Sequence, residues 1–153
     1  MTSIRRPLPK EVDALTHMAL AAKAHWGYPK RWMEIWSPQL TFSPEYFAEN
    51  ESWVAVVDEI PIGFYTLQEK DGNAWIENLW VLPEYIGKGI GKSLFLHAVV
   101  LSRRRGYQIL RLEADPNAVG FYEKVGMHKF SERHSEVDGE PRILPIMEME
   151  LEE

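Results

Sequence analysis

One stretch constrains this chain more than any other: Asn78-Leu79-Trp80-Val81-Leu82-Pro83-Glu84-Tyr85-Ile86-Gly87-Lys88-Gly89-Ile90-Gly91-Lys92-Ser93-Leu94. A strand-forming apolar run stops at a proline, glycines follow at alternate positions, and an apolar helical pattern begins. Glycines there strip side chains from the approach to a helix N-terminus, where main-chain N–H groups have no partner and the helix dipole favours an anion. Lys88 and Lys92 add positive charge at the same place. The segment is suited to holding a phosphate.

The flanking sequence sets the topology. Thr2 to Arg6 reads as a short strand, and Val12, Leu15, Ala19, Ala22 and Trp26 repeat at helical spacing, so a helix is predicted over Glu11 to Trp26. Gly27-Tyr28-Pro29 stops it, a short helix follows over Lys30 to Trp36, and Ser43-Pro44-Glu45 starts another with Ser as cap. Trp53–Val57, Ile62–Leu67 and Ala74–Leu82 form a meander through Asp58-Glu59 and the Asp71-Gly72 turn signal. The helix after the glycines carries Leu94, Phe95, Ala98, Leu101 and Ser102 on one stripe. It ends in Arg103-Arg104-Arg105-Gly106, which suits the negative dipole end better than a nucleic acid. Gln108 to Ala114 is a further strand, Asp115-Pro116 caps a short helix running to Gly126, and Met127–Val137 with Ile143–Leu151 closes the chain as a hairpin. The order predicts one α/β domain over residues 1–153 with a mixed sheet: antiparallel meander, βαβ crossover, C-terminal hairpin.

Composition bounds the function classes. With 153 residues the chain suits one domain with a sizeable core. There is no cysteine, hence no disulfide, thiolate metal site or cysteine nucleophile, and the histidines show no metal spacing. A net charge of −6 argues against nucleic-acid binding; it is compatible with a cationic substrate, although solubility is the plainer reading. No basic-apolar leader opens the chain and no apolar run reaches membrane-spanning length, so a cytoplasmic protein is expected.

Glycine-rich turns before helices also arise for structural reasons alone. Gly91-Lys92-Ser93 fits the second half of a P-loop, but its first glycine position is Ile86 and the preceding strand belongs to a meander. A dinucleotide fingerprint fails because its third glycine falls one residue early. The fuller pattern Val81-x-Pro83-x-Tyr85-x-Gly87-Lys88-Gly89-Ile90-Gly91-x-x-Leu94 resembles the acyl-CoA-binding signature of the GNAT superfamily of N-acetyltransferases. Asp115-Pro116-Asn117-Ala118-x-x-Phe121-Tyr122-Glu123-Lys124-x-Gly126-Met127 resembles the family's later strand-to-helix motif, in the family's order and spacing. The one departure is Ile86, where the family usually has Arg or Gln.

The resemblance implies an acetyl-CoA-dependent N-acetyltransferase that needs no metal and transfers acetyl directly to an amine acceptor, small or peptide-borne. It implies main-chain contacts from Leu79, Trp80 and Val81 to the thioester arm, a pyrophosphate cradle from Ile86, Gly87, Lys88, Gly89, Ile90, Gly91 and Lys92, and an arm contact from Asn117. Tyr122 matches the general acid for the leaving thiolate, against a plain core role beside Phe121. Glu77 is the base candidate: its apolar neighbours would desolvate it and raise its pKa. Simple alternation instead makes it a solvent-facing strand residue, unless a bulge intervenes. His25, Trp26 and Tyr28 occupy the family's usual acceptor pocket, and with Trp32 and Trp36 they would form an aromatic wall, unless they serve core packing. Two other classes stay open, a P-loop-like nucleotide-binding protein and a non-catalytic acyl-CoA sensor. A homodimer is conceivable if the last strand (Met147, Met149, Leu151) forms a sheet edge.

Overall fold

Along the central strands Val54, Val56 and Phe64 point to one face of the sheet, and Ala55, Tyr65 and Leu67 to the other. A sheet buried on both faces needs helices on both sides. In the computed structural model, which describes residues 2–152, it has them. The strands are β1 (Thr2–Arg5), β2 (Glu51–Val57), β3 (Ile60–Lys70), β4 (Asn73–Val81), β5 (Ile109–Glu113), β6 (His128–Val137) and β7 (Glu140–Glu150). The helices are α1 (Val12–Ala24), α2 (Lys30–Trp36), α3 (Pro44–Glu49), α4 (Ile90–Arg104) and α5 (Val119–Lys124). Helices α1 and α3 bury Leu15, Met18, Ala19 and Phe47 on the Phe64 face. Helix α4 buries Leu94, Phe95, Ala98 and Val99 on the Tyr65 face. Each such Leu or Phe contributes roughly 1.5–3 kcal/mol by leaving water.

The strand order is β1-β2-β3-β4-β5-β7-β6, with β4 and β5 parallel and the remaining neighbours antiparallel. The expected mixed sheet, meander and crossover are present. Two expectations need correction. β7 is not an edge: it inserts between β5 and β6, and Met147 is fully buried, so the last strand offers no free edge for a second subunit. The edge at this end of the sheet is β6, whose sequence His-Lys-Phe-Ser-Glu-Arg-His-Ser-Glu is largely polar and exposed, a composition that discourages strand pairing. Trp26 is not part of α1, which ends at Ala24 with His25 as C-cap; Trp26 is 41% exposed. Among the described residues no helix is long and apolar enough to cross a membrane.

The start of the chain is pinned by charge. Glu11 is buried, accepts two bonds from the Arg5 guanidinium (2.9 and 2.8 Å) and one from the Leu8 N–H (2.8 Å). Those bonds, the Arg5 pair foremost, hold its carboxyl below the usual range against the opposing effect of burial.

Candidate active site

The cleft exists because two parallel strands part. Residues 74–76 of β4 pair with 110–112 of β5, and the pairing ends at Ile76 opposite Leu112. Beyond it β4 stays paired with β3 only. Pairing of Thr66 with Asn78 and of Leu67 with Ile76 leaves Glu77 as an extra, bulged residue. The bulge turns the strand, so that Ile76 and Leu79 both reach the α4 face while Trp80 packs on the α1 face. The Leu82 N–H bonds the Ile62 carbonyl of β3, and the Trp80 carbonyl also lies towards β3, near Gly63. Alternation along the strand then directs the main-chain groups of Leu79 and Val81 to the open side. The resulting cavity of about 330 Å³ has Leu79, Trp80 and Val81 along one wall and Leu112, Glu113, Asp115 and Tyr122 along the other. The Trp80 main chain is turned to β3 instead.

At the mouth the three glycines serve two purposes. Gly87 (φ +83°) and Gly89 (φ +82°) hold left-handed backbone that other residues resist, and a Cβ on either would point into open space. Gly91 has ordinary helical backbone, but a Cβ there would lie 3.3 Å from the Phe121 ring. Main-chain bonds stop at Ile86 N–H to Pro83 O and resume at Ser93 N–H to Gly89 O. The intervening N–H groups, from Gly87 to Lys92, stand at the positive end of the fifteen-residue α4 beside the Lys92 ammonium. Such a cradle fits the pyrophosphate of coenzyme A. Ile86, 47% exposed, lines the mouth. Lys88 leans over the Tyr85 ring at 5.3 Å and is not part of the lining. The Ile90 side chain is buried in the core, leaving only its N–H for the cradle.

Tyr122 stands on α5 and lines the cavity, 8% exposed. Burial, and then the Asp115 charge, push its phenol well above the ordinary value, so it remains a proton donor at neutral pH. Glu77 also lines the cavity, but the expected desolvation is absent: it is exposed, and its carboxylate pairs with Lys70 at 3.0 Å. The bulge, not apolar surroundings, brings it to the site. Asn78, the next residue, is buried. It accepts from Trp80 Nε1 (3.0 Å) and donates to the Tyr46 hydroxyl (2.9 Å), a link the sequence pattern did not suggest.

Of the three expected acceptor residues, only Trp26 lines the cavity. His25 is exposed beside it, the ring centroids 6.2 Å apart. Tyr28 turns instead to Asp115, donating to its carboxylate at 2.8 Å. The Tyr28 phenol is pushed up to about 12, by burial first and then by that bond. Trp32 and Trp36 pack on Tyr28 rather than on the cavity, with Lys23 Nζ 4.2 Å from the Trp36 ring centroid. Asn117, expected at the coenzyme arm, bonds Tyr28 and Asp115, each at 3.0 Å. Asp115, read from sequence only as a cap, is therefore the centre of a polar cluster at the cavity wall. Its partners lie up to 92 residues away, beyond any local signal. Among the described residues no group of His, Asp or Glu is arranged to hold a metal.

Comparison with known proteins agrees with this geometry. The model of the acetyltransferase (GNAT) family matches residues 17–127. The peptidyl-lysine N-acetyltransferase YjaB of Salmonella typhimurium is 36% identical over 106 residues, 69% of this chain and 68% of that one. A Bacillus subtilis protein described as a ribosomal protein bS18 alanine N-acetyltransferase is 34% identical over 85 residues, 45% of this chain and 56% of its own length. Among solved structures, the PaiA N-acetyltransferase of Thermoplasma acidophilum in complex with coenzyme A superposes with a TM-score of 0.78 at 25% identity, covering 98% of this chain and 99% of that one. The cradle on α4, the parted β4 and β5 and the family match lead to one assignment: the chain belongs to the GNAT family of acetyltransferases.

Proposed function

We propose that the protein transfers the acetyl group of acetyl-CoA to a primary amine by direct attack of the amine within a ternary complex. The observation that carries this reading is the parting of β4 and β5 above Tyr122, with the glycine cradle at the mouth of the same cavity. Acetyl-CoA supplies an activated acyl carbon as a thioester. Gly87 to Lys92 hold the pyrophosphate. Leu79 or Val81 presents a main-chain N–H to the carbonyl oxygen as negative charge grows on it. Glu77, directly or through water, takes one proton from the acceptor ammonium, and the free amine so formed attacks. As the new C–N bond forms and the C–S bond breaks, Tyr122 protonates the departing sulfur; the second proton lost by the nitrogen returns through solvent to the Tyr122 phenolate, and Glu77 releases the first to bulk water. One relative is named for acetylation of a peptidyl lysine and another for that of a ribosomal protein alanine, and a peptide-borne amine is the acceptor class we assign.

A thermal-shift comparison of acetyl-CoA, CoA and Mg-ATP at equal concentration tests the binding half. A ligand at a hundredfold excess over its dissociation constant stabilises the fold by about 2.7 kcal/mol. Stabilisation by both CoA species and not by Mg-ATP is expected; stabilisation by Mg-ATP alone contradicts it. Thiol release with lysine- and alanine-terminated peptides tests the transfer half. Binding without turnover of any amine would make the protein an acyl-CoA sensor.

A further inference from the structure

Asp115 is held from four parts of the fold. Lys23 of α1 lies at 3.2 Å, the Tyr28 hydroxyl of the α1–α2 segment at 2.8 Å, the Asn117 N–H at 2.9 Å and Arg142 of β7 at 4.0 Å. The side chains of Lys23, Asp115 and Arg142 are only 14%, 10% and 10% exposed. Arg142 also donates to the Tyr28 hydroxyl at 2.9 Å and lies over the Tyr28 and Trp36 rings. Two nearly buried cations thus converge on one nearly buried carboxylate, an arrangement in which removing the anion leaves both charges uncompensated.

The position of this knot gives it a second consequence. Through Asn117 the carboxylate caps the turn that enters α5, and α5 carries Tyr122. Through Tyr28 it ties down the segment that carries Trp26. Asp115, Trp26 and Tyr122 all line the same cavity. We propose that Asp115 is a positioning residue for the transfer: it fixes the Trp26 wall and the Tyr122 helix in one arrangement, so that the acceptor is held in line with the proton donor. The proposal rests on the transferase reading only for the role of Tyr122; the coupling of the two walls stands apart from it.

Two variants and two measurements decide the matter. Tyr28→Phe keeps the ring packed on Trp32 and Trp36 and removes only the hydroxyl; Asp115→Asn removes the charge. With acetyl-CoA and poly-L-lysine as the probe, Tyr28→Phe is expected to raise the KM for the polymer about tenfold, as loss of a bond to a charged group does. The KM for acetyl-CoA should stay unchanged. Hydrogen exchange of the same variant, with no acceptor present, is expected to quicken both at residues 25–28 and at 117–122, and not at 87–92. Asp115→Asn should exceed Tyr28→Phe in both measurements; if it does not fold, Tyr28→Phe carries the test. A purely structural knot would lower thermal stability and leave the KM for the polymer alone, and that result overturns the proposal. So does quickened exchange confined to 25–28. A wild-type enzyme that acetylates no lysine contradicts the acceptor assignment instead, while the exchange result still decides the coupling.

Discussion

Ile76 of β4 and Leu112 of β5 are the last paired residues of the parallel ladder, and the next residue on each strand is a glutamate, Glu77 and Glu113. Both line the cavity, but they are held differently. Glu77 has a single contact from Lys70 at 3.0 Å, whereas Glu113 is gripped by two Arg133 nitrogens at 2.7 and 2.8 Å. The bidentate pair commits both Glu113 oxygens to Arg133. Glu77→Gln is expected to lower kcat about a hundredfold with little change in KM for acetyl-CoA, the usual scale for a lost general base. Glu113→Gln should stay within about threefold of wild type, as exposed pairs contribute little. Steady-state kinetics on the two variants checks the contrast.

Tyr122→Phe is expected to lower kcat about a hundredfold while leaving coenzyme affinity and folding intact, because Tyr122 lines the cavity and the proposed mechanism takes the sulfur's proton from its hydroxyl. With the phenol raised above its ordinary value by burial and the Asp115 charge, the wild-type rate should show no fall below about pH 10 from loss of this acid. A pH–rate profile of both proteins is the check.

The glycines separate by mechanism. Gly89→Ala puts a side chain on left-handed backbone with nothing nearby to meet it, so it should cost about 1–2 kcal/mol of stability and weaken acetyl-CoA binding at the cradle. Gly91→Ala keeps ordinary backbone but presses on Phe121, the neighbour of Tyr122. It should reduce kcat more than affinity. Calorimetric titration with CoA alongside kinetics distinguishes the two.

The carboxylates of Asp115 and Glu11 are both held below their ordinary range. Burial opposes the shift at each; the Asn117 N–H and Lys23 overcome it at Asp115, and Arg5 does so at Glu11. A depressed folded value contributes stability that is fully present above the unfolded value of about 4 and is lost as pH falls through the folded one. Tyr28 has the opposite sign: its stability is present below about pH 10 and lost as pH rises through about 12. Melting temperature against pH should therefore fall at both ends. Asp115→Asn should flatten the acid limb, and Tyr28→Phe the alkaline one.

The parts of this account that were legible in the sequence are those fixed by neighbouring residues. The Ser43 cap and the α4 stripe are local, and each is where the pattern puts it; the glycines that strip the approach to α4 also supply left-handed backbone at Gly87 and Gly89. The bulge at Glu77 was not legible, because it is a property of the register with β3. For the same reason alternation alone, which makes Glu77 a solvent-facing residue, does not show that it lines the cavity. The edge of the sheet was misread because strand order is global: the last strand in sequence inserts between β5 and β6. The bonds of Tyr28 to Asp115 and of Asn117 to Tyr28 are also nonlocal features of the site. Their partner Asp115 is 87 residues from Tyr28 and gathers cations from α1 and β7 that no spacing rule connects.

The most direct test of direct attack is to follow turnover by mass spectrometry, with acetyl-CoA and an equimolar mixture of lysine- and alanine-terminated peptides. The predicted result is acetyl on a peptide amine nitrogen, no acetylated form of the enzyme at any time point, and a rate that collapses in Tyr122→Phe. Acetyl-CoA consumed with no acetylated peptide, or a transient acetyl-enzyme that forms before the product, would contradict it.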